Sequence, residues 1–343
     1  MKLFCSCLNF FSNDLALDLG TVSTRIYLRG RGAVLSEPSA AAVSRNGRIL
    51  AAGQEAVNMT DKIQSGITDI RPLKDGRIAD FEIFRALLCH FIRKIRKIRF
   101  SRFKKLRLIA AVPSGFTQEE KKAVREAAAQ AGASEVCLIK KPLAAAIGAG
   151  LLAAEPAAGL ILDIGGGTAE AAVISRAGLV CSQSVPAGGL RMDEAIAGHI
   201  RKKYRLLISE FTAEAVKQKI GTACPSDQAE TLEVRGRDTV TGLLRTVTVD
   251  AEEIGCAIAG QADSILSAVL STIEQIPPEL AAPIAARGLV LTGGGALLRC
   301  LDSRLREVTR LPVSIAADPL TAAARGCGQA LENPAVLRAV SIS

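Results

Sequence analysis

"GLILDIGGGTAEAAVISRAGLVCSQSV", Gly159 to Val185, is the stretch on which the fold turns. An apolar run leads into Asp163, the turn Gly165-Gly166-Gly167-Thr168 follows, and "AEAAVIS" resumes extended character before another strand after Gly178. The same plan stands earlier in "DLALDLGTVSTRIYLRGRGAVLSEPS", Asp14 to Ser39. There Leu15 and Leu17 alternate before Asp18-Leu19-Gly20-Thr21, and Arg25-Ile26-Tyr27-Leu28 is extended before Gly30. Asp18 and Asp163 are 145 residues apart. A hairpin repeated at that interval predicts a duplicated α/β core whose halves each present an aspartate and a Thr/Gly turn to a shared cleft.

The segments between the copies fit that class. "LRLIAAVPS" reads as a buried strand of continuous apolar character, and "TQEEKKAVREAAAQAG" as a helix capped by Thr117 with Glu120 three residues on, ending at Gly132. "SEVCLI" is a further strand, and in "CLIKKPLAAAIG" Pro142 opens a helix. Later, "RGLVLTGGG" followed by "ALLRCLDSRLREVT" gives strand, glycine turn and helix, and "DPLTAAARGCGQALE" a closing helix. Strands alternating with helices predict sheets covered on both faces.

Length and composition set the frame. A chain of 343 residues, 49% hydrophobic and 22% charged, has room for two ordinary domains and the balance of a soluble globular protein. No uninterrupted apolar stretch reaches the ~18 residues a spanning helix needs, Gly148–Ile164 being broken by Glu155 and Pro156, so no membrane crossing is expected. The opening "MKLFCSCLNFF" lacks a small-residue cleavage site; if helical, Leu3, Phe4, Leu8 and Phe11 share a face, and residues 1–12 form a candidate segment for lying in a membrane surface. Nine scattered cysteines in mostly aliphatic settings suit reduced core thiols in a cytosolic protein. Cys5-x-Cys7 lacks metal-ligand spacing, and with only His90 and His199 in the chain no zinc site is expected.

The formal charge of +9 has one local source: "FIRKIRKIRFSRFKKLR", Phe91 to Arg107, carries nine basic residues and no acid. Phe84, Leu87, Leu88, Phe91, Ile95 and Ile98 recur at helical spacing, so one face of this segment should pack on the domain. Phe100 and Phe103 continue beyond it among Arg99, Arg102, Lys104 and Lys105. Aromatic anchors in a polybasic setting suit anionic lipid. No stacking platform or recognition-helix pattern accompanies them, which argues against nucleic acid; a solvated helix end is the plain alternative.

The glycine turns carry the chemistry. Without a Cβ in the way, backbone N–H groups can approach phosphate oxygens. One such turn is commonly just a turn; three of them, two directly after a strand-end aspartate, point to a nucleotide. Mg²⁺ keeps most of its waters and is held by one or two carboxylates with phosphate oxygens, which makes Asp18 and Asp163 the metal candidates, the alternative being that each caps its own turn.

These motifs, with "IRPLKDGRIADFE", "PLAAAIGAGL", "LLISEFTAEAVKQKIG", "EVRGRD" and "LPVSIAADPLTAAARGCGQALE", resemble MreB, the bacterial actin-like family of rod-shape determination, from Asp14 to Glu332. The resemblance implies an actin-like fold of two duplicated α/β lobes around a cleft: residues 13–150 with 320–343 as the first lobe, 151–319 as the second, and a membrane loop at 98–105. It implies ATP and Mg²⁺ as cofactors. By the same resemblance the first phosphate turn is Gly20, Thr21, Val22 and Ser23 and the second Gly165, Gly166, Gly167 and Thr168. Glu210, Phe211, Thr212 and Ala213 stand beside the nucleoside with Lys217 a helical turn on, and Gly293, Gly294, Gly295 and Ala296 complete the adenosine pocket. Self-assembly into filaments, attachment to the inner face of the cell membrane, and cell-wall synthesis and shape proteins as partners follow in the same way. A soluble phosphotransferase or chaperone-like ATPase of the same fold is the rival, though no carboxylate is spaced for a kinase's catalytic base; a paralogue that modulates other filaments without cycling is another.

Lys140 and Lys141 depart from the family, which usually has acids there, the one beside the proline orienting the water that attacks the terminal phosphate. A charged lysine accepts no proton and offers no acceptor geometry, so binding with weak hydrolysis is expected. Lys141 beside a triphosphate would tighten the complex. Glu170 or Thr168 are the residues that could position water in its stead.

Overall fold

The structure, a computed structural model, describes residues 14–60, 67–99, 106–151, 158–176, 178–224 and 230–342. Residues 1–12, with Cys5 and Cys7, and residues 100–105, with Phe100 and Phe103, lie outside the described part. The chain divides into two compact units, one of Met1–Ala158, Ile174–Val180 and Leu320–Ser343, the other of Gly159–Val173 and Cys181–Pro319.

The first unit is built on a six-stranded sheet in the order Ser341–Ile342, Ala133–Lys140, Leu106–Val112, Leu15–Leu19, Ser23–Leu28, Gly32–Pro38. Leu106–Val112 runs parallel to both its neighbours, while Leu15–Leu19 and Ser23–Leu28 form an antiparallel hairpin with Asp18 opposite Arg25. Leu15–Leu19 is buried along its whole length, as a strand covered on both faces must be. The Phe81–Arg99 helix lays Phe84, Leu87, Leu88, Phe91 and Ile95 into this core; the side chain of Ile98 is not among those described. Gln118–Gln130 begins at Thr117 with the expected reciprocal cap: Glu120 N–H donates to Thr117 Oγ1 (3.3 Å) and Thr117 N–H to Glu120 Oε2 (2.8 Å).

The second unit repeats the plan. Its main sheet runs Gly178–Val185, Ala169–Ser175, Ala158–Ile164, Leu289–Thr292, Val313–Ile315, the last three strands parallel. In both sheets, then, three strands that follow one another in sequence are extended on one side by two strands from later in the chain, parallel to the first; the first sheet adds Ser341–Ile342 at its edge, antiparallel to Ala133–Lys140. This is the duplication that the two hairpins announce. A smaller sheet joins Leu206–Leu207, Thr231–Asp238 and Leu244–Asp250.

Two features were not anticipated. The glycine turn after Leu289–Thr292 does not enter a helix directly: a 3₁₀ turn, Gly294–Leu297, comes first, and the helix begins at Leu301 after Cys300 in the left-handed region (φ 61°). Ala251–Ile273 is long and apolar enough to cross a membrane by length and composition. It opens with Glu252 and Glu253, and Ile254, Ile258, Ile265 and Val269 lie at its buried face in the second unit's core, the behaviour of a core helix.

The thiols are mixed in setting. Cys89 and Cys327 are buried as expected, whereas Cys256 and Cys300 are exposed; all seven described cysteines are free.

Candidate functional site

Ligands of open α/β sheets collect beyond the carboxyl ends of the parallel strands. In the first unit those ends are Leu19, Val112 and Lys140; in the second they are Ile164, Thr292 and Ile315. Every glycine turn singled out from the sequence follows one of them.

The first turn is closed by Gly20 N–H donating to Ser23 O at 3.1 Å, and the second by Gly165 N–H donating to Thr168 O at 2.8 Å. These are the same bond at equivalent positions. A Cβ at Gly20 would lie 2.5 Å from Ser23 O, so glycine is required. Each turn is then pinned from behind. Ser39 donates through Oγ to Gly20 O (2.6 Å) and through N–H to Val22 O (2.9 Å). In the second unit, the first N–H groups of the Gly189–Tyr204 helix take that role, Gly189 donating to Gly165 O (3.0 Å) and Leu190 to Gly166 O (2.9 Å). In a trans peptide the C=O and N–H point in opposite directions. Fixing those carbonyls therefore aims the N–H groups of Thr21, Ser23, Gly166 and Gly167 away from their anchors, the orientation an anion cradle needs.

The third turn packs directly on the second. Gly293 (φ 78°) donates its N–H to Pro319 O at 2.8 Å, and a Cβ there would fall 2.2 Å from Ile164 O; one at Gly295 would fall 2.2 Å from Ile164 Cγ2. Gly294 is exposed and Ala296 buried. Asp163, itself buried, accepts at Oδ1 from Thr292 Oγ1 (3.0 Å).

The Glu210–Ile220 helix starts at Ser209, whose Oγ accepts from Thr212 N–H (3.1 Å) and shares a hydrogen bond with the Thr212 hydroxyl (2.9 Å). Glu210 and Phe211 are exposed; Ala213 is wholly buried. Lys217 spans from this helix to the second turn's anchor, donating to Gly189 O (3.0 Å) and pairing with both oxygens of Asp193 (2.8 and 2.9 Å). Burial pushes the Asp193 carboxyl up to about 6, against the charge and hydrogen bond of Lys217 and with help from Glu214 and Glu210.

Thr168 Oγ1 lies 3.5 Å from Oε1 of Glu170, a buried carboxylate on the strand after the turn. In the first unit, Lys141 Nζ stands 3.8 Å from Asp18 Oδ1, and both side chains are largely shielded from solvent. Topology accounts for the meeting: Lys140 pairs with Val112, and Ala111 pairs with Asp18, so the three strand ends stand in a row that a lysine stem can bridge. The thiol of Cys327 borders the same carboxylate; burial, then the charge of Asp18, raises its pKa.

The sequence thus singled out Asp18, Lys141 and the turn Gly20–Ser23, which fall in one unit, and Asp163, Gly165–Thr168, Glu210–Ala213, Lys217 and Gly293–Ala296, which fall in the other. It missed Ser39, Gly188, Gly189, Asp193 and Thr292. Only the glycine pair in "VPAGGL" carried a signal, a tight approach just before a helix; a Cβ on Gly188 would lie 2.4 Å from Gly166 O.

A divalent ion fits these residues unequally. Asp163 offers a carboxylate with a hydroxyl on one oxygen. Asp18 already has an ammonium beside it. At ~4 Å and an effective dielectric of about 20, that ammonium would offset about 8 kcal/mol of the carboxylate's attraction for a 2+ ion, before water screens it. The setting of Asp163 fits Mg²⁺ better than that of Asp18 does.

Residues 12–339 match the family model described as MreB/Mbl protein. The chain is 49% identical over 327 residues to the cell shape-determining protein MreB of Escherichia coli K12, covering 94% of each, and 46% identical over 324 residues to Mbl of Bacillus cereus, covering 94% of this chain and 97% of that one. Among solved structures it superimposes on MreB5 of Spiroplasma citri bound to ADP with a TM-score of 0.86 at 33% identity, over 95% of this chain and 97% of that one; the AMPPNP-bound form gives 0.84. With this match over nearly its whole length, and with the same sheet plan present twice, the chain belongs to the MreB/Mbl family and has the actin-like fold.

Proposed function

We propose that this chain binds ATP through its paired glycine turns and assembles into cell-shape filaments on the inner face of the membrane, with weak hydrolysis. The observation that carries the reading is the equivalence of the two turns, each closed by the same N–H···O bond after a buried aspartate and each held so that its N–H groups face outward. The ADP and AMPPNP bound to the Spiroplasma relative support the ligand, and the cell-shape role of the relatives supports the destination.

In this reading the turns Gly20–Ser23 and Gly165–Thr168 hold phosphates. The Glu210–Ala213 segment, Lys217 and Gly293–Ala296 surround the nucleoside. Lys217 acts largely as a brace, since its ammonium is committed to Asp193 and Gly189 O. Asp163 is the residue that would hold Mg²⁺, an ion that when bound would supply Lewis-acid chemistry for hydrolysis; the positive charge beside the phosphates comes from Lys141. Hydrolysis is weak because the side chain at position 141 is a donor only, paired with Asp18. Thr168 and Glu170 are left as the groups able to orient water, and the buried Lys141–Asp18 pair favours a filament that cycles slowly.

A repeated contact that does not close on itself gives a filament. Lipid attachment through Phe100, Phe103 and basic residues 93–107 would place it at the membrane, within reach of cell-wall synthesis proteins. Fewer charges serve that end than the sequence suggests: Lys94 pairs with Glu37 (2.7 Å), Arg96 donates to Ala131 O (2.9 Å), and Arg107 makes two bonds to Asp14 (3.0 and 2.5 Å).

Sedimentation of the full chain with ATP and with a non-hydrolysable analogue, reading phosphate release alongside, tests the reading. Pelleting in both, with release from wild type at least about tenfold below that of Lys141→Glu, is expected. A chain that stays soluble with either nucleotide, or a variant no faster than wild type, contradicts assembly or the role of Lys141 respectively.

A further inference from the structure

Helix N-termini carry partial positive charge and favour acids in the first turn. The Lys141–Gly148 helix has none there: it follows Lys140 without a side-chain cap and begins with Lys141 and Pro142. Two cations at such a place oppose the helix dipole unless something negative answers them. For Lys141 the answer is Asp18, 3.8 Å away, with the Asp18 side chain 4% exposed and that of Lys141 14%. The helix itself is fixed in place. Its residues from Pro142 to Gly148 are buried, and it crosses the closing helix, Ala322–Glu332, so tightly that a Cβ on Gly148 would lie 1.9 Å from Ala322 O and one on Gly326 1.8 Å from Ala144 O. Lys141 is thus delivered to Asp18 by a rigid element.

With an acid at position 141, this corner would hold two carboxylates, and a polyphosphate would approach more readily with a divalent ion than alone. With lysine the corner is one carboxylate and one ammonium, and its net charge is zero. An ammonium has three donors, so it can hold Asp18 and still face a phosphate oxygen.

We propose that Lys141 is a built-in cation that takes, at Asp18, the place of a divalent metal, so that this chain binds nucleoside triphosphate without Mg²⁺. The inference rests on the nucleotide site proposed above. It adds that the charge neutralised elsewhere by a dissociable ion is neutralised here by a side chain, which makes binding independent of the concentration of free Mg²⁺.

The test is titration of the full chain with a fluorescent ATP analogue, once with excess Mg²⁺ and once with excess EDTA. Wild type binds with affinities within about threefold of each other in the two conditions, and so does Lys141→Arg, which keeps the charge. Lys141→Glu loses at least about tenfold in EDTA and recovers with Mg²⁺. A wild-type chain whose binding falls about tenfold or more in EDTA overturns the inference while leaving the nucleotide site standing, and this arm needs no variant to fold. Equal binding by Lys141→Glu in both conditions, with its melting transition intact, also overturns it. Absence of nucleotide binding in every condition instead removes the proposed function on which the inference stands.

Discussion

At the scale of single residues, two buried carboxylates pull stability in opposite directions with pH. Burial alone would raise the Asp14 carboxyl, but the hydrogen bond and charge of Arg107, then those of Arg29, outweigh it and hold its pKa below the usual value. Its contribution is present above an unfolded pKa of about 4 and is lost as pH falls through the lower folded value. Asp193 behaves in reverse. Its folded pKa of about 6 lies above the unfolded 3.8, so the native state binds more protons in that interval, and this group's contribution to stability grows as pH falls from 7 toward 4. Urea unfolding at pH 7 and pH 5 should show wild type gaining on Asp193→Asn at the lower pH; identical shifts in the two proteins would contradict the assignment. Neither effect is visible in the sequence. Asp14 meets Arg107 across 93 positions and Asp193 meets Lys217 across 24, and the pairing is made by the fold. Lys141 was the opposite case: the conflict between two lysines and a helix start was plain from "IKKPL", although its resolution by Asp18 was not.

At the scale of elements, local rules read well wherever the partner is near in sequence. The hairpins, the Thr117 cap and the buried face of the Phe81–Arg99 helix follow from turn glycines, capping chemistry and 3.6-residue spacing. What local rules did not supply is how one element constrains another. The Gly189–Tyr204 helix anchors the second phosphate turn, and this depends on Gly188, whose backbone (φ −78°) any residue could adopt but whose Cβ would run into Gly166 and Gly167. Gly188→Ala should therefore displace the turn, lowering ATP affinity about tenfold and stability by about 1–3 kcal/mol. Titration with a fluorescent ATP analogue and urea unfolding measure the two effects, and an unchanged affinity would show that this helix does not hold the turn. The 3₁₀ turn at Gly294–Leu297 was hidden for a related reason: Gly293 and Gly295 are shaped by Ile164, on a strand more than a hundred residues earlier.

At the scale of the whole molecule, the duplication was legible because it rests on spacing: the same Asp-turn-Thr/Ser pattern recurs after 145 residues, and the sheets built on the two copies share one strand plan. Charge was less faithfully legible, since a count along the chain cannot tell a basic residue facing lipid from one bonded to Asp14, Glu37 or a helix end. The central claim is that each copy of the hairpin is a phosphate turn for nucleotide. A crystal structure of the chain with a non-hydrolysable ATP analogue tests this most directly. The account predicts backbone N–H groups of Gly20–Ser23 and of Gly165–Thr168 on phosphate oxygens, with the Lys141 ammonium against Asp18. A nucleotide bound to one turn alone, or phosphates lying away from both, would contradict it.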